Sequence, residues 1–322
     1  MPDHLYKALL LFAPLVILAS LAEAVVLTWR ARKAKQSNPD APVESYDWIA
    51  MGVSLLDVVV RSLMRLVPVA LAAPAFFWAE EHQLFQIELN TAWAVIGLFF
   101  AQEFFYYWYH RCAHRIRFFW ANHAVHHSPN QLNLSAAYRL GWFGQFAGAG
   151  IFFTPLVWIG FDARVVLSVI AFNLLYQFWI HATWIPKLGW LEYVLNTPSA
   201  HRVHHASNLR YLDANYGGVL IIFDRLFGTY IEESEDEPCV YGWTKPVTTH
   251  NPFVIEVGPW IALFKDMVSA RSLPKALAYL AMPPGWRADG PGETTEELRA
   301  RARTGAQPAT VIRDLGMNLN AK

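Results

Sequence analysis

The chain has 322 residues, 54% of them hydrophobic and 15% aromatic, a balance richer in apolar side chains than soluble domains carry, which makes a membrane protein the leading class. Its 26 basic and 26 acidic residues cancel to zero formal charge, so nothing points to nucleic acid or another globally electrostatic partner. Two cysteines, Cys112 and Cys239, are too few for a disulfide framework and are expected as free thiols.

Residues 8–29 are apolar apart from Glu23 and run into a basic block, Arg30, Arg32, Lys33 and Lys35. That reads as a first span whose basic end stays cytoplasmic. The triplet Ala22-Glu23-Ala24 imitates a signal-peptide cleavage site, but the apolar run continues past it to the stop-transfer-like block. From Trp48 onward, Asp57, Arg61 and Arg65 recur at helical spacing, which predicts an interfacial helix leading into a span at roughly residues 66–78. After the acidic loop of Glu80, Glu81 and Glu88, residues 91–109 form another span, rich in aromatics from Phe99 to Trp108 that suit lipid-facing and core positions. Residues 142–159 and 163–180, separated only by Gly160-Phe161-Asp162, predict a tight hairpin across the bilayer. Beyond His181 the chain turns polar, with a surface-lying amphipathic helix expected over residues 259–282 and a charged, mobile tail after Gly290.

The expected fold is therefore an all-α integral membrane protein of about four transmembrane helices. It divides into N-terminal membrane helices with an interfacial segment (residues 1–90), a catalytic domain (91–255), and an amphipathic helix with a tail (256–322). Alternating the spans from a cytoplasmic basic block brings the ends at His110 and His181 to one cytoplasm-facing side. Arg111, Arg115, Arg117, Arg139, Arg202 and Arg210 fall on that side too, as the positive-inside bias requires.

Nine of the twelve histidines lie between positions 110 and 205, in four groups: His110 and His114; His123, His126 and His127; His181; and His201, His204 and His205. Residues three or four apart share a helical face, so three of the groups present their rings together. As cations these rings would repel one another and be costly to desolvate; as neutral metal ligands they escape both costs. Nine exceed what one zinc takes and suit two metal ions sharing a cavity, although imidazole by itself accepts iron, zinc and copper alike. His181 joins the set because the hairpin returns it to the same face. His4, His82 and His250 are read as ordinary residues.

With those residues in place, the chain resembles the fatty acid hydroxylase and sterol desaturase superfamily of membrane di-metal oxygenases, from about Glu103 to Phe253. His110-Arg111-Cys112-Ala113-His114 is similar to the first box of that family, His123-Ala124-Val125-His126-His127 to the second and His201-Arg202-Val203-His204-His205 to the last, with His181 matching an isolated histidine. Asp213-Ala214-Asn215-Tyr216-Gly217-Gly218 and residues 223–229 resemble the stretch after the last box. Asn133-Leu134-Ser135 and residues 241–246 look closest to the alkylglycerol monooxygenase branch and its bacterial relatives. Two departures stand out: Glu103 where the family often has aspartate, and Ala182-Thr183 where that branch has an acidic residue.

The resemblance implies two iron ions, with zinc able to replace them on purification, held by the nine histidines as both the metal and the catalytic set. It implies dioxygen-dependent hydroxylation or desaturation of a fatty acyl, sterol or ether lipid by a multi-pass protein of a bacterial inner membrane, its active site facing the cytoplasm. No nucleotide or flavin fingerprint is visible, so electrons would come from a separate donor protein or reductase, with Arg111, Arg115, Arg117 and Arg210 as a docking surface. Asp213, Asn215 and Asp224 would fix imidazole tautomers, or else serve as turn and cap residues. The competing readings are a zinc-dependent membrane lipid hydrolase and a metal transporter, whose ligands should be distributed through the spans.

Overall fold

The structure is a computed structural model that describes residues 3–40, 43–67, 70–244 and 246–304. Among them the chain is helical and forms no strand; Leu195–Leu220 and Ala206–Tyr241 make isolated bridges. Two helices are long and apolar enough to cross a membrane, over Pro14–Ser37 and Ala163–Ile180. The first is most of α1 (Asp3–Ser37). Leu15, Leu18, Val25 and Trp29 stand exposed along it while Ser20, Glu23 and Ala24 are buried, the division expected of a helix with one face toward lipid. Glu23, the acid inside the apolar run, accepts from Leu134 N–H at 2.7 Å and Trp184 Nε1–H at 2.9 Å, which satisfies it where water is scarce.

α2 (Trp48–Met64) starts at Asp47, whose side chain accepts from Ala50 N–H as an N-cap should. The predicted span at residues 66–78 does not form. α2 ends at Met64, and α3 (Ala73–Glu81) has nine residues with a proline in its first turn, far short of about 20 needed to cross. α4 (Ala92–Arg115) is the central helix and packs on α5 (Arg117–His123), α6 (Thr154–Ile159) and α7 (Ala163–Ile180). Leu98, Tyr106, Leu156, Val157 and Val166 form the core between them.

The predicted hairpin is half right. α7 is continuous from the Asp162 cap to Ile180, but residues 142–159 break into turns, a 3-10 turn at Ala149–Phe153 and the six-residue α6. Gly141 and Gly148 adopt φ of 82° and 70°, a left-handed backbone that glycine enters freely and that no α-helix contains.

Beyond α8 (Pro198–His205) and α9 (Ile222–Phe227), the expected amphipathic segment appears as two helices, α10 (Pro252–Ser269) and α11 (Leu273–Ala281), packed on each other and on α5. The expected tail is structured over α12 (Thr295–Arg303), which opens with a capping box of Thr294 and Glu297; the remainder of the tail call, residues 305–322, lies outside the described residues. Both cysteines are free.

Candidate metal centre

The last two turns of α4 carry His110 and His114, and the end of α5 with the turn after it carries His123, His126 and His127. His181 caps the C-terminus of α7, and α8 carries His201, His204 and His205. α8 is fixed at its start by Thr197, which accepts from Ala200 N–H, and by Pro198 in its first turn. Eight of the nine rings are buried and His123 is partly so.

All nine come together, in two groups. His110, His114, His123, His127 and His204 form one and His126, His181, His201 and His205 the other, each with one ligand atom per residue within 4.8 Å of the rest. The two H-x-x-H-H segments are shared between the groups. The outer histidines of each go one way, His123 with His127 and His201 with His205, while the middle one, His126 or His204, crosses to the other group. In α8 this follows from the helix: positions i and i+4 differ by about 40° around the axis, and i+3 and i+4 by about 100°.

Ring nitrogens stand at coordination spacing. Nε2 of His123 is 3.1 Å from Nε2 of both His110 and His127. In the other group the His181–His201 and His201–His205 separations are 3.1 Å and His126–His181 is 3.4 Å. Two ligands about 2.1 Å from one metal lie about 3.0 Å apart at a right angle and about 3.4 Å apart at the tetrahedral angle.

The outer nitrogens decide which inner ones carry lone pairs. His110 Nδ1–H donates to the Tyr216 carbonyl at 2.8 Å, His126 to Arg139 at 3.0 Å, His181 to Gln177 at 2.7 Å and His204 to Ala214 at 2.9 Å. A carbonyl only accepts, so each neutral ring keeps an unprotonated Nε2 pointing inward. His126 and His181 thus aim two lone pairs at each other, a repulsive contact that a cation between them turns into two bonds. The buried Nε2 atoms of His114 and His204 have no hydrogen-bond partner, as atoms awaiting a metal should not. Burial, then the neighbouring rings, pushes His110, His123, His127, His181, His201, His204 and His205 well below the ordinary histidine range. Burial lowers His126 to about 4. Neutral rings are the form that binds metal.

Of the three tautomer-fixing candidates, Asp213 reaches a ring: its Oδ1 lies 3.7 Å from His114 Nδ1. Burial works to raise its carboxyl, but the contacts with His114 and then Thr295, and after them the charge of Arg115, outweigh that and hold it down to about 2. Asn215 binds the carbonyls of Ala200 and Ile231, and Asp224 accepts from Tyr216 N–H and Gly217 N–H. These two shape the loop whose Tyr216 carbonyl holds His110. The suggested basic docking surface is largely occupied within the chain: Arg115 pairs with Asp213 and Glu296, Arg117 with Asp266, and Arg111 donates to Tyr107 Oη. His82 stacks on Trp78 and His250 pairs with Asp47, both outside the cluster; the side chain of His4 lies outside the described residues.

Sequence reasoning missed the struts behind the rings. Arg139 is buried and donates to Ser54, Ser128 and the Ala50 carbonyl. Glu103 accepts from Val219 N–H, Leu220 N–H and Asn173, tying α4, α7 and the loop after α8 together. A polar residue inside an apolar helix was the available signal for both Glu103 and Asn173. A cavity of about 580 Å³ leads to the rings, lined by His110 and His123 from one group and His126 and His181 from the other. Its remaining wall is mostly apolar and includes Tyr106 and Tyr109 from the aromatic stretch of α4, Phe12 and Val16 of α1, and Leu167 and Leu174 of α7.

Residues 95–229 match the fatty acid hydroxylase family model. The alkylglycerol monooxygenases of Homo sapiens and Xenopus tropicalis are 35% and 33% identical over 294 residues, which is 91% of this chain and 61% of each relative. An ornithine lipid hydroxylase of Rhizobium tropici is 30% identical over 162 residues, 50% of this chain and 46% of that protein. The chain spans about three fifths of the length of the alkylglycerol monooxygenases just named, and no solved structure matches it. The matched segment contains all nine clustered histidines, and the family match together with these relatives supports the fatty acid hydroxylase superfamily.

Proposed function

We propose that this protein is a membrane di-iron oxygenase that hydroxylates or desaturates a lipid, taking dioxygen and electrons from a separate donor. The nine histidines are its metal ligands, five at one iron and four at the other. The observation that carries the reading is the cavity: a largely apolar space of about 580 Å³ that ends on two histidines from each group, so a chain lying in it meets both metal positions. Iron bound there would supply the activation of dioxygen that attack on an unactivated carbon requires.

The protein contributes position and exclusion. Tyr106, Tyr109, Phe153 and Phe178 flank the cavity and keep water from the reacting carbon, and Leu167 and Leu174 of α7, both exposed on the outer surface, open it sideways toward lipid. The four Nδ1–H donations to backbone carbonyls hold the rings in one tautomer and one orientation before a metal arrives. The likeness to alkylglycerol monooxygenases and an ornithine lipid hydroxylase supports a glycerol-based or polar-headed lipid as substrate class.

The deciding experiment is mass spectrometry of lipids from a host expressing the protein, with and without isotopically labelled dioxygen. Label in a new hydroxyl supports hydroxylation, and an alkene formed only with dioxygen and reductant supports desaturation. Turnover under anaerobic conditions with zinc alone would instead establish the hydrolase. We further propose that residues 30–35, His110 and His205 share the cytoplasmic side of a bacterial inner membrane. Single cysteines introduced beside each should label together in inverted vesicles, and opposite accessibility at any one breaks that topology.

A further inference from the structure

The cavity wall has a second polar feature that oxidation chemistry leaves unused. Arg61 and Arg65, one turn apart at the end of α2, line it beside Met64 and Gln145. Arg61 Nη2 donates to the Tyr138 carbonyl at 3.1 Å, while its Nε, 3.5 Å from Asp57 Oδ2, is buried without a hydrogen bond. Asp57 is engaged elsewhere, accepting from Leu140 N–H and Gly141 N–H at 3.1 Å each. The Arg65 side chain is exposed to the cavity mouth and has no ion-pair or hydrogen-bond partner among the described residues.

Two guanidinium groups thus face the cavity, Arg61 with its Nε buried and unsatisfied and Arg65 without a hydrogen-bond or ion-pair partner among the described residues. A buried donor left unsatisfied is costly, and an anion held between the two groups satisfies both. A phosphate monoester carries about −1.5 to −2 at neutral pH and offers the oxygens that paired guanidinium groups grip.

We propose that the cavity binds a lipid with a phosphate-bearing head group, the phosphate held by Arg61 and Arg65 and the hydrocarbon chain lying along the apolar wall between α1 and α7. That the bound chain is then oxidised rests on the oxygenase reading; the binding does not.

The test is equilibrium binding by calorimetry to the full-length, metal-loaded protein in an uncharged detergent, without reductant, so that binding and oxidation fail separately. The probes are an alkylglycerol, the same alkylglycerol carrying a 3-phosphate, and inorganic phosphate. The phosphorylated lipid should bind about tenfold tighter or better, as one charge-assisted contact of about 1.4 kcal/mol gives. Arg65→Gln should remove most of that preference and leave the neutral lipid unchanged, and Arg65→Lys should keep part of it. Arg61→Gln should act the same way, with thermal unfolding measured alongside because Arg61 also braces Tyr138. Equal affinity of the wild type for the two lipids overturns the proposal, as does equal weakening of both by Arg65→Gln. Inorganic phosphate binding as tightly as the phosphorylated lipid would assign the arginines to a free anion and overturn the head-group claim.

Discussion

Five histidines gather around one candidate metal position and four around the other, and the two groups are braced from different parts of the chain. The five-membered group leans on the loop after α8. Ala214 holds His204 through its carbonyl, Asp213 stands beside His114, and Arg299 of α12 clamps the loop by donating to the carbonyls of Leu209, Arg210 and Leu212. The four-membered group leans on α2 and α10. The Arg139 carbonyl holds His126, and the backbone just after it is pinned by Asp57 through Leu140 and Gly141 and by Glu256 through Trp142. One group therefore has a carboxylate beside its ligands; in the other, the two outer contacts named above, at His126 and His181, are backbone carbonyls. The groups should differ in how they lose metal, although they share two histidine segments.

The largest effect should come from the crossing histidines. His126→Ala and His204→Ala should each abolish turnover and lower metal content from about two per chain to about one, since no neighbouring ring can replace the missing ligand. His82→Ala, which touches neither group, should change neither quantity. Elemental analysis decides it. Full metal and turnover in His204→Ala would remove the five-membered group from the site.

Asp213→Asn separates the groups more finely. Removing a carboxylate beside a ligating histidine weakens metal binding by roughly 10- to 100-fold, so under chelator challenge this variant should release one metal early and the second at the wild-type rate. Simultaneous release of both would show that the groups behave as one unit.

A pH effect tests the other brace. Burial and Asp57 push Glu256 from 4.5 up to about 8, so the folded chain binds a proton there that the unfolded chain has released. That contribution to stability is complete below about pH 4.5 and is lost as pH rises through about 8. Relative to Glu256→Gln, which keeps the uncharged form at every pH, the wild-type Tm should therefore fall as pH rises across that window, and the comparison cancels the opposite titration of the buried histidines, which both proteins share. An unchanged slope in the variant would break the assignment.

The smallest effect is expected at Arg299. Its half-buried guanidinium makes three hydrogen bonds to backbone carbonyls, and Arg299→Ala should cost about 1–3 kcal/mol, read as a lower denaturation midpoint. Metal loss should increase at the five-membered group alone. Equal loss at both would mean that α12 supports the whole domain and not one loop.

How much of this was legible in advance follows from how local each feature is. The long apolar helices α1 and α7 and the four histidine groups depend on neighbours within a turn or two, and hydropathy and i, i+3, i+4 spacing report those directly. Residues 142–159 misled for the same reason. A hydropathy sum counts Trp142, Phe143 and Phe146 as membrane-like and is blind to the left-handed backbone of Gly141 and Gly148. The short apolar stretch at residues 66–78 misled too, because a hydropathy sum gives no weight to Pro68 and Pro74, residues that disfavour a continuous helix through it.

The nine histidines and their common destination were determined by the sequence, because each group is a few residues long and a buried imidazole cluster has few other uses. Their division into five and four was decided by the tertiary structure alone. Whether His126 joins His123 three residues away or His181 fifty-five residues away depends on how α5, α7 and α8 pack. The struts behind them, Arg139, Glu103 and Arg299, act across 70 to 120 positions or on a backbone carbonyl, and a carbonyl is present at every residue, so only packing selects which one a ring will meet.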